Sequence, residues 1–572
     1  MSSPKIAILT FLLLLAKLSF AQKINDNFFI SGSNGNGGTT NRVAFSSIAY
    51  NTIEDEYLVV WAGEYDGVTG LATGEPEIWG QLIDAAADTL IGNNFRISSL
   101  GANEQADVGV NAPKVVHNPT YNEYLVVFYG DDNRPPIVNG EAEIYGQRLD
   151  ADGNEIGEND FRISIMGDDN EPIASVKNKS DANFPDVVYN STNDEYMVVW
   201  HGDNVDKDFE VWGQRLRGID GAVIDTNYQI SYVDTDFPFP VNPVDPVPAN
   251  IKPSICWNSQ LNEYLVTWHG GTFFPNARNE YQIYGQRVDS TGFLIDTSFQ
   301  ISNSIGNLAR GAYTAYNEDR NEYLTIWVDR ANSNQFLVKG QLLDSIGVNI
   351  DTVIDISTNG EDQFRGLDTQ SAEAHYDSLG KEYVVIWSAN VDTSNDTENS
   401  DYQVHFIALD DSTGQVIDTA FIISDLGGNI DNNPSPALAY RSLDRSYFAV
   451  WSSNIPIPVD SFEAEIRGQH FETLNNQCID GVLNGDEEGV DCGGSCPNVC
   501  MPTCDDGIQN GDETGVDCGG SCPNMCCTIG EICDDGDANT INDTLNMDCV
   551  CVGVSIARLN AKIFLQGAYQ DT

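Results

Sequence analysis

Hydrophobic positions along this chain come in short runs that return at intervals. The run Glu56-Tyr-Leu-Val-Val-Trp61 recurs as Glu123-Tyr-Leu-Val-Val-Phe128, Glu195-Tyr-Met-Val-Val-Trp200 and Glu263-Tyr-Leu-Val-Thr-Trp268. It returns again as Glu322-Tyr-Leu-Thr-Ile-Trp327, Glu382-Tyr-Val-Val-Ile-Trp387 and Ser446-Tyr-Phe-Ala-Val-Trp451. Short runs of β-branched and aromatic residues, bounded by Asn, Asp and Gly, predict strands. A second run follows each first one: Ile78-Trp-Gly-Gln81, Ile144-Tyr-Gly-Gln147, Val211-Trp-Gly-Gln214, Ile283-Tyr-Gly-Gln286, Val338-Lys-Gly-Gln341, the divergent Val404-His-Phe-Ile407, and Ile466-Arg-Gly-Gln469. A third strand ends in Ile-Ser, from Phe95–Ser98 to Phe421–Ser424, and a further one, ending near Tyr50, His117, Tyr189, Trp257, Tyr316, Tyr376 or Tyr440, precedes the first run.

Four strands thus recur in seven units, which predicts an all-β fold and a seven-bladed β-propeller. The ends of the repeat predict how the ring closes. The seventh unit stops after His470-Phe471 with no Ile-Ser strand behind it, while an orphan copy, Phe28-Phe29-Ile30-Ser31, stands near the N-terminus. An N-terminal strand that completes the last blade removes the exposed sheet edges. The expected propeller spans residues 22–474.

Connection lengths divide the ring into two faces. From the end of the first strand to the tyrosine of the second is seven residues in every unit, as from Tyr50 to Tyr57. The connections of the other face vary: Trp200 to Gly213 is 13 residues and Trp61 to Gly80 is 19. Function on a rigid scaffold sits in loops, so the variable face, including Ala62–Glu77, Tyr129–Glu143, Tyr232–Lys252 and Ser388–Gln403, is the expected contact surface.

Residues 1–21 read as a signal peptide: Lys5, the apolar stretch Ile6–Ala16, and a small-x-small site at Ser19-Phe20-Ala21. The expected location is secreted or cell-surface, without membrane insertion. The chain holds 86 Asp and Glu against 28 Lys and Arg, a net charge of −58. Such a surface repels phosphate backbones and excludes nucleic acid as a partner.

Beyond residue 474 the composition changes. Twelve of thirteen cysteines lie there. Residues 475–526 hold two 26-residue repeats, with Cys478, Cys492, Cys496, Cys500 and then Cys504, Cys518, Cys522, Cys526. A third module, 527–552, holds Cys527, Cys533, Cys549 and Cys551. In an exported chain with little apolar sequence these predict small disulfide-rich modules, and four cysteines allow three pairings each. Zinc is the rival reading. Asp480, Asn484, Asp486 and Asp491 recur as Asp506, Asn510, Asp512 and Asp517 among glycines, which makes calcium the candidate cation; ordinary Asp-Gly and Asn-Gly turns are the alternative. Residues 553–572, ending in Phe564-Leu-Gln-Gly-Ala-Tyr569, read as the start of a further module, so the chain is expected to continue past its last residue.

The Cys-x-Asp-Gly-x-x-Asn-Gly-Asp-Glu repeats resemble cysteine-rich modules of large exported bacterial surface proteins. The Glu-Tyr-Leu-Val-Val-Trp and Ile-Tyr-Gly-Gln-Arg-Leu repeats resemble propeller repeats of similar secreted multidomain proteins. The resemblance implies a surface location and no chemistry.

Chemical motifs are sparse. There is no Gly-x-Ser-x-Gly elbow, no His-Glu-x-x-His, no phosphate-binding Gly loop and no Ser-x-Asp-x-Gly-x-x-Trp box of the sialidase type. His201 and His269 share one repeat position that other units fill with Ala62, Tyr129, Val328, Ser388 or Ser452. Arg148, Arg215 and Arg287 share another, where packing or surface pairing is expected over an inward anion-binding triad, and Cys256 reads as a small buried residue. With no catalytic residues or cofactor to nominate, the expected function is a non-enzymatic extracellular binding or adhesion protein with a protein or glycan ligand on the variable face. The alternative is a secreted carbohydrate-active enzyme with carboxylates on that face. Two facing carboxylates in a central pocket, one with a raised pKa, would favour the enzyme.

Overall fold

The computed structural model describes residues 22–24, 27–31, 42–65, 74–100, 109–132, 141–166, 181–203, 209–232, 252–271, 281–303, 308–332, 335–357, 372–390, 402–424, 435–456, 462–473, 530–546 and 550–555. Contacts divide the chain into two units, and the first to consider is Phe20–Asn476. Six antiparallel four-stranded sheets follow one another along it, each ordered as in the sequence, and a seventh is shared between the two ends. In the first blade the strands are Arg42–Asn51, Glu56–Glu64, Pro76–Asp84 and Thr89–Arg96.

The seventh sheet combines Ala437–Arg441, Ser446–Pro456 and Phe462–Glu472 with two N-terminal pieces, Gln22–Lys23 and Phe28–Phe29. Phe28 faces Gly468 and Phe29 faces Arg467, while Gln22 pairs with Glu472 further along the same strand. Ring closure through the orphan Ile-Ser strand is therefore as the repeat pattern predicts.

The middle of each second strand, as Tyr57–Trp61, is mostly apolar because it is buried on both faces, between the adjacent blades. Trp61, Trp200, Trp327, Trp387 and Trp451 are fully buried. The cores lie between blades: Phe448 and Ile466 of blade seven pack with Tyr57, Val59 and Trp61 of blade one. Rings bridge the seam, with Tyr57 and Phe448 centroids 5.0 Å apart.

The uniform seven-residue turns have a structural cause. Each carries one residue in the left-handed region before the second strand: Asp55, Asn122, Asp194, Asn262, Asn321, Lys381 and Arg445, with φ between 53° and 61°. Asn and Asp tolerate that conformation best. The asparagine ending the first strand then latches the next blade. Asn118 Oδ1 accepts the Thr120 N–H and its Nδ2 donates to the Tyr196 hydroxyl at 2.8 Å. Asn190 to Tyr264 (3.0 Å) and Asn258 to Tyr323 (2.8 Å) repeat the contact. At the seam Arg441 takes this place and pairs with Asp55 at 2.6 Å.

The Ile-Ser serines are a second latch. The Ser98 hydroxyl accepts the Ile78 N–H at 2.8 Å and donates to the buried Glu77 carboxylate. Ser31 does the same for the closing strand, accepting from Ile466 N at 2.6 Å and donating to Glu465 at 2.5 Å. The third-to-fourth strand turn packs against the neighbouring blade at a position that needs glycine: Gly153 has φ +80°, and a Cβ there would come within 2.7 Å of the Phe95 ring.

The described tail residues belong to the other unit. Thr540–Leu545 and Cys551–Ser555 form a two-stranded sheet, and Cys533 is disulfide-bonded to Cys551 across 5.9 Å between Cα atoms. The signal peptide, the two 26-residue repeats with Cys478, Cys492, Cys496, Cys500, Cys504, Cys518, Cys522 and Cys526, and also Cys527 and Cys549, lie outside the described residues.

Candidate functional site

The first strand of every blade lines the ring's axis, and one register position on it decides what the axis contains. It lies four residues before the last residue of that strand (Asn51 in the first blade) and pairs with the fifth residue of the second-strand run: Ser47 with Val60, Lys114 with Val127, Asp186 with Val199, Ser254 with Thr267, Tyr313 with Ile326, Glu373 with Ile386 and Ala437 with Val450. A ring of near-identical blades needs the same residue at the same place for packing. The neighbouring apolar positions obey that rule, while this one carries a different chemistry in nearly every blade.

The strands are re-aimed just before this position. Blades one, two, three and five have a β-bulge there, with register shifts at Ala44/Ser47, Asn111/Lys114, Asn183/Asp186 and Arg310/Tyr313. The bulged residues Phe45, Ala112, Phe184 and Gly311 have φ of 55°, 46°, 49° and 64°. A phenylalanine in the left-handed region costs about 1–2 kcal/mol, and bulges of this kind redirect side chains beside functional sites. Here they help to line an axial cavity of about 80 Å³, with all seven blades contributing. It sits nearer the end of the first strands from which the length-variable connections leave; Lys252, which ends the segment Tyr232–Lys252, is part of its wall.

Within the cavity a lysine stands between two carboxylates. Lys114 Nζ is 2.9 Å from Glu373 Oε1. Burial opposes the lysine's charge, but the fields of Glu373 and Asp186 outweigh it and hold its pKa above the ordinary value. Glu373 Oε2 also accepts the Leu438 N–H of the next blade at 3.2 Å. Asp186 accepts the N–H of Ile255, again one blade on, and of Val187, both at 3.0 Å. Burial pushes the Asp186 carboxyl up; Lys114 and the two N–H groups pull the other way, and the Glu373 charge adds to the rise. The Tyr313 ring lies under Lys114, 5.9 Å from Nζ.

Phe45 and Phe184 meet edge to face at 6.1 Å, and Lys252 Nζ stands 5.4 Å from the first ring and 4.9 Å from the second. Beside them His201 and His269 are both buried. Burial pushes the His269 imidazole down to about 3, and Arg310, His201 and Lys252 add to this.

The shared arginines are not an inward triad. Arg148, Arg215 and Arg287 pair with Glu123, Glu195 and Glu263 at 2.5–2.6 Å within their own blades. Blade seven replaces this pair by a buried chain in which His470 lies 2.5 Å from the Ser446 hydroxyl and 3.0 Å from Asp88 of blade one. Its order is that of a hydrolase triad, but Ser446 is 1% exposed and the chain occupies the place of an inter-strand ion pair. It belongs to ring closure. Cys256 is buried and free, as expected.

The calcium candidates Asp480, Asn484, Asp486, Asp491, Asp506, Asn510, Asp512 and Asp517 lie outside the described residues. In the third module Asp534, Asp535 and Asp543 bring one carboxylate oxygen each within 4.8 Å of the others. Oxygen donors suit a hard cation such as calcium, although three side chains are fewer than its usual six to eight ligands.

No family model matches this chain, and no curated protein matches it. Solved structures do. It is similar to an ulvan lyase, described as a new family of polysaccharide lyase (TM-score 0.45, 7% identity, covering 77% of this chain and 95% of that one). It is also similar to the NanB sialidase of Streptococcus pneumoniae (TM-score 0.41, 10% identity, 79% and 71% covered) and to an α-L-arabinanase of Penicillium chrysogenum (TM-score 0.39, 9% identity, 79% and 98% covered).

The expectation of a non-enzymatic adhesion protein is corrected here. The axis carries the carboxylate pair that no linear motif displays; the three solved structures named above are carbohydrate-active enzymes by their descriptions, and the chain resembles them in fold alone. Asp186 and Glu373 stand far apart in sequence on blades three and six, so only closure of the ring brings them to one cavity. A signal was nevertheless present: Pro113, Pro185, Pro253 and Pro436 occupy one offset, five residues before the residue that ends the first strand (Asn118, Asn190, Asn258 and Arg441). Proline inside a strand pattern marks a bulge or edge, and the residue after it is the axial one.

Proposed function

We propose that this protein is a secreted carbohydrate-active enzyme whose acid–base pair is Asp186 and Glu373 on the propeller axis. The observation that carries the reading is the pair itself: two carboxylates in one cavity, in environments that differ. Among the described residues no cation is in hydrogen-bond contact with Asp186, and its carboxyl is pushed up by burial, which suits a proton donor to a leaving oxygen. Glu373 is in an ion pair with Lys114 and supplies the second carboxylate. Environments that separate two carboxyl groups in this way divide acid from base roles. The cavity's 80 Å³ is well short of the roughly 150 Å³ that takes a benzene ring. A sugar ring therefore stays at the mouth, on Phe45 and Phe184, and presents its glycosidic oxygen or a substituent inward.

Export by the N-terminal leader is part of this proposal, and no helix among the described residues is long and apolar enough to cross a membrane. The test is to incubate the full chain with a panel of soluble polysaccharides and follow new reducing ends and unsaturated products. Asp186→Asn and Glu373→Gln should keep the circular dichroism of the wild type and each lose about 10²–10⁴-fold in rate, the usual worth of a positioned acid or base. Unchanged turnover in both variants would refute the assignment.

A further inference from the structure

We infer that a groove on the outer rim, between blades three and four, is a second glycan site that holds a neutral sugar chain against Tyr232 and Phe293. From the reading above it takes only that this protein meets polysaccharides. The groove has a volume of about 310 Å³ and shares no lining residue with the axial cavity. One wall comes from the fourth strand of blade three, Val223–Gln229, and from Tyr232; the other is the turn at residues 291–294 of blade four.

Packing does not account for the two aromatic rings. Phe293 is 73% exposed and Tyr232 67%, the two most exposed aromatic residues among those described. The repeat does not call for them either. Phe293 follows the turn glycine, where other blades have Asn154, Ala222, Val348 and Gln415; Tyr232 follows Ile-Ser, where others have Ser99, Ile165 and Asn303. Two separate departures from the repeat thus meet in one groove. The backbone under Phe293 is fixed. Its N–H donates to Asp289 Oδ1 at 3.0 Å and its carbonyl accepts the Asp289 N–H at 2.8 Å. Arg215 Nη1 of blade three donates to Thr291 O at 3.0 Å, and Gly292, at φ +92°, lies so close that a Cβ would stand 3.2 Å from the Tyr228 hydroxyl. A platform held in place before binding loses little freedom on contact.

The polar residues of the groove select the ligand. Thr226, Thr291, Gln229 and Asp225 line it beside the rings. A sugar needs both kinds of surface: its C–H face packs on an aromatic ring, and its hydroxyls bond to amide, hydroxyl and carboxylate groups at the edge. A wholly apolar partner would cover these polar groups without bonding them, at a cost. Arg215 is paired with Glu195 at 2.6 Å, so the exposed charge of the groove is that of Asp225. A carboxylate on a chain of net charge −58 turns away uronates and sulfated sugars and accepts from neutral hydroxyls. The 310 Å³ has room for about two six-membered rings, at the roughly 150 Å³ that takes benzene.

The experiment reads binding without turnover, by affinity electrophoresis of the full-length protein in gels holding arabinan, galactan or β-glucan (neutral) and polygalacturonate or dextran sulfate (anionic). The wild type should be retarded by at least one neutral polymer and not by the anionic ones. Phe293→Ala and Tyr232→Ala should each weaken binding about fivefold, and together about 25-fold if the rings act independently. Both side chains are exposed, so the melting temperature should stay that of the wild type. Val348→Ala, at the position of Phe293 in blade five and 55% exposed, is the control and should change binding less than about twofold. Retention by no neutral polymer, preference for the anionic ones, or equal binding by wild type and double variant would overturn the inference. So would a wild-type dimer in gel filtration that the double variant loses, since the groove would then seat a second copy. Binding lost in Glu373→Gln but kept in the double variant would place retention at the axis, overturning this inference and leaving the axial reading standing. Binding that needs Tyr232 and Phe293, with no product from any polysaccharide, would uphold it and overturn the enzymatic reading instead.

Discussion

Closing the ring through its N-terminus makes Ile30 a core residue rather than part of a fraying end, and this can be tested by truncating it to alanine. Ile30 is fully buried, its N–H donates to Ile466 O at 2.8 Å, and its side chain joins the core between blades seven and one. Cutting a buried isoleucine to alanine costs about 2–5 kcal/mol, from lost transfer energy plus the cavity left behind. The propeller unit has about 450 residues, and an unfolding entropy of about 2.1 cal/mol/K per residue gives about 1 kcal/mol/K for the whole. The expected fall in Tm is then about 2–5 °C. Ile163, 2% exposed at the same register inside blade two, is the matched control, and Ile163→Ala should shift Tm by a similar amount. Scanning calorimetry of both variants decides the matter. A shift below about 1 °C for Ile30→Ala beside several degrees for Ile163→Ala would mean that the closing strand frays and that the ring is open in solution.

Two further outcomes follow from buried titratable groups. Burial pushes the carboxyls of Glu77 to about 8 and Glu143 to about 7, against the opposing pull of their serine and arginine neighbours. A carboxyl raised on folding contributes stability that is fully present below its unfolded pKa and is lost as pH rises through the folded value. Tm should therefore decline from pH 5 to pH 9, with a shallower decline in Glu77→Gln; a flat or rising profile would refute this. Asp55, held low by Arg441, acts in the opposite sense, adding a loss of stability in strong acid. Cys256 is buried with its thiol pushed up by desolvation, so a thiol reagent should leave it unmodified in the folded protein and label it on unfolding. Fast labelling under native conditions would contradict its burial.

Much of the scaffold is legible because repetition exposes it. Seven aromatic runs, five of them Glu-Tyr-x-x-x-Trp, their partner runs ending mostly in Gly-Gln and an orphan Ile-Ser strand lead to the blade count and to the closing contact of Phe28 with Gly468. The turn residues Asp55, Asn122 and Asp194 are also readable, since local backbone chemistry selects them. The axial residues are harder. Lys114, Asp186 and Glu373 sit where a repeat alignment looks merely variable, and variability there resembles drift. Reading Pro113 and Pro185 as bulge markers would have aligned them; without that step they are three ordinary charged residues on three separate strands. The roles of Arg148 and of the Ser446–His470–Asp88 chain likewise depend on partners supplied across strands and blades.

By itself the sequence determined the strands, their number per blade, the turns that join them and the order in which the ring closes. All of these follow from short-range periodicity and from the need to leave no sheet edge unpaired. What only the tertiary structure decided is which side chains share the axis and in what electrostatic state. A cavity bounded by seven strands is an assembly of residues hundreds of positions apart, and the burial that raises the Asp186 pKa or couples Lys114 to Glu373 exists only once the last blade is closed. Local pattern specifies each wall; the chemistry of the space between them comes from bringing the walls together.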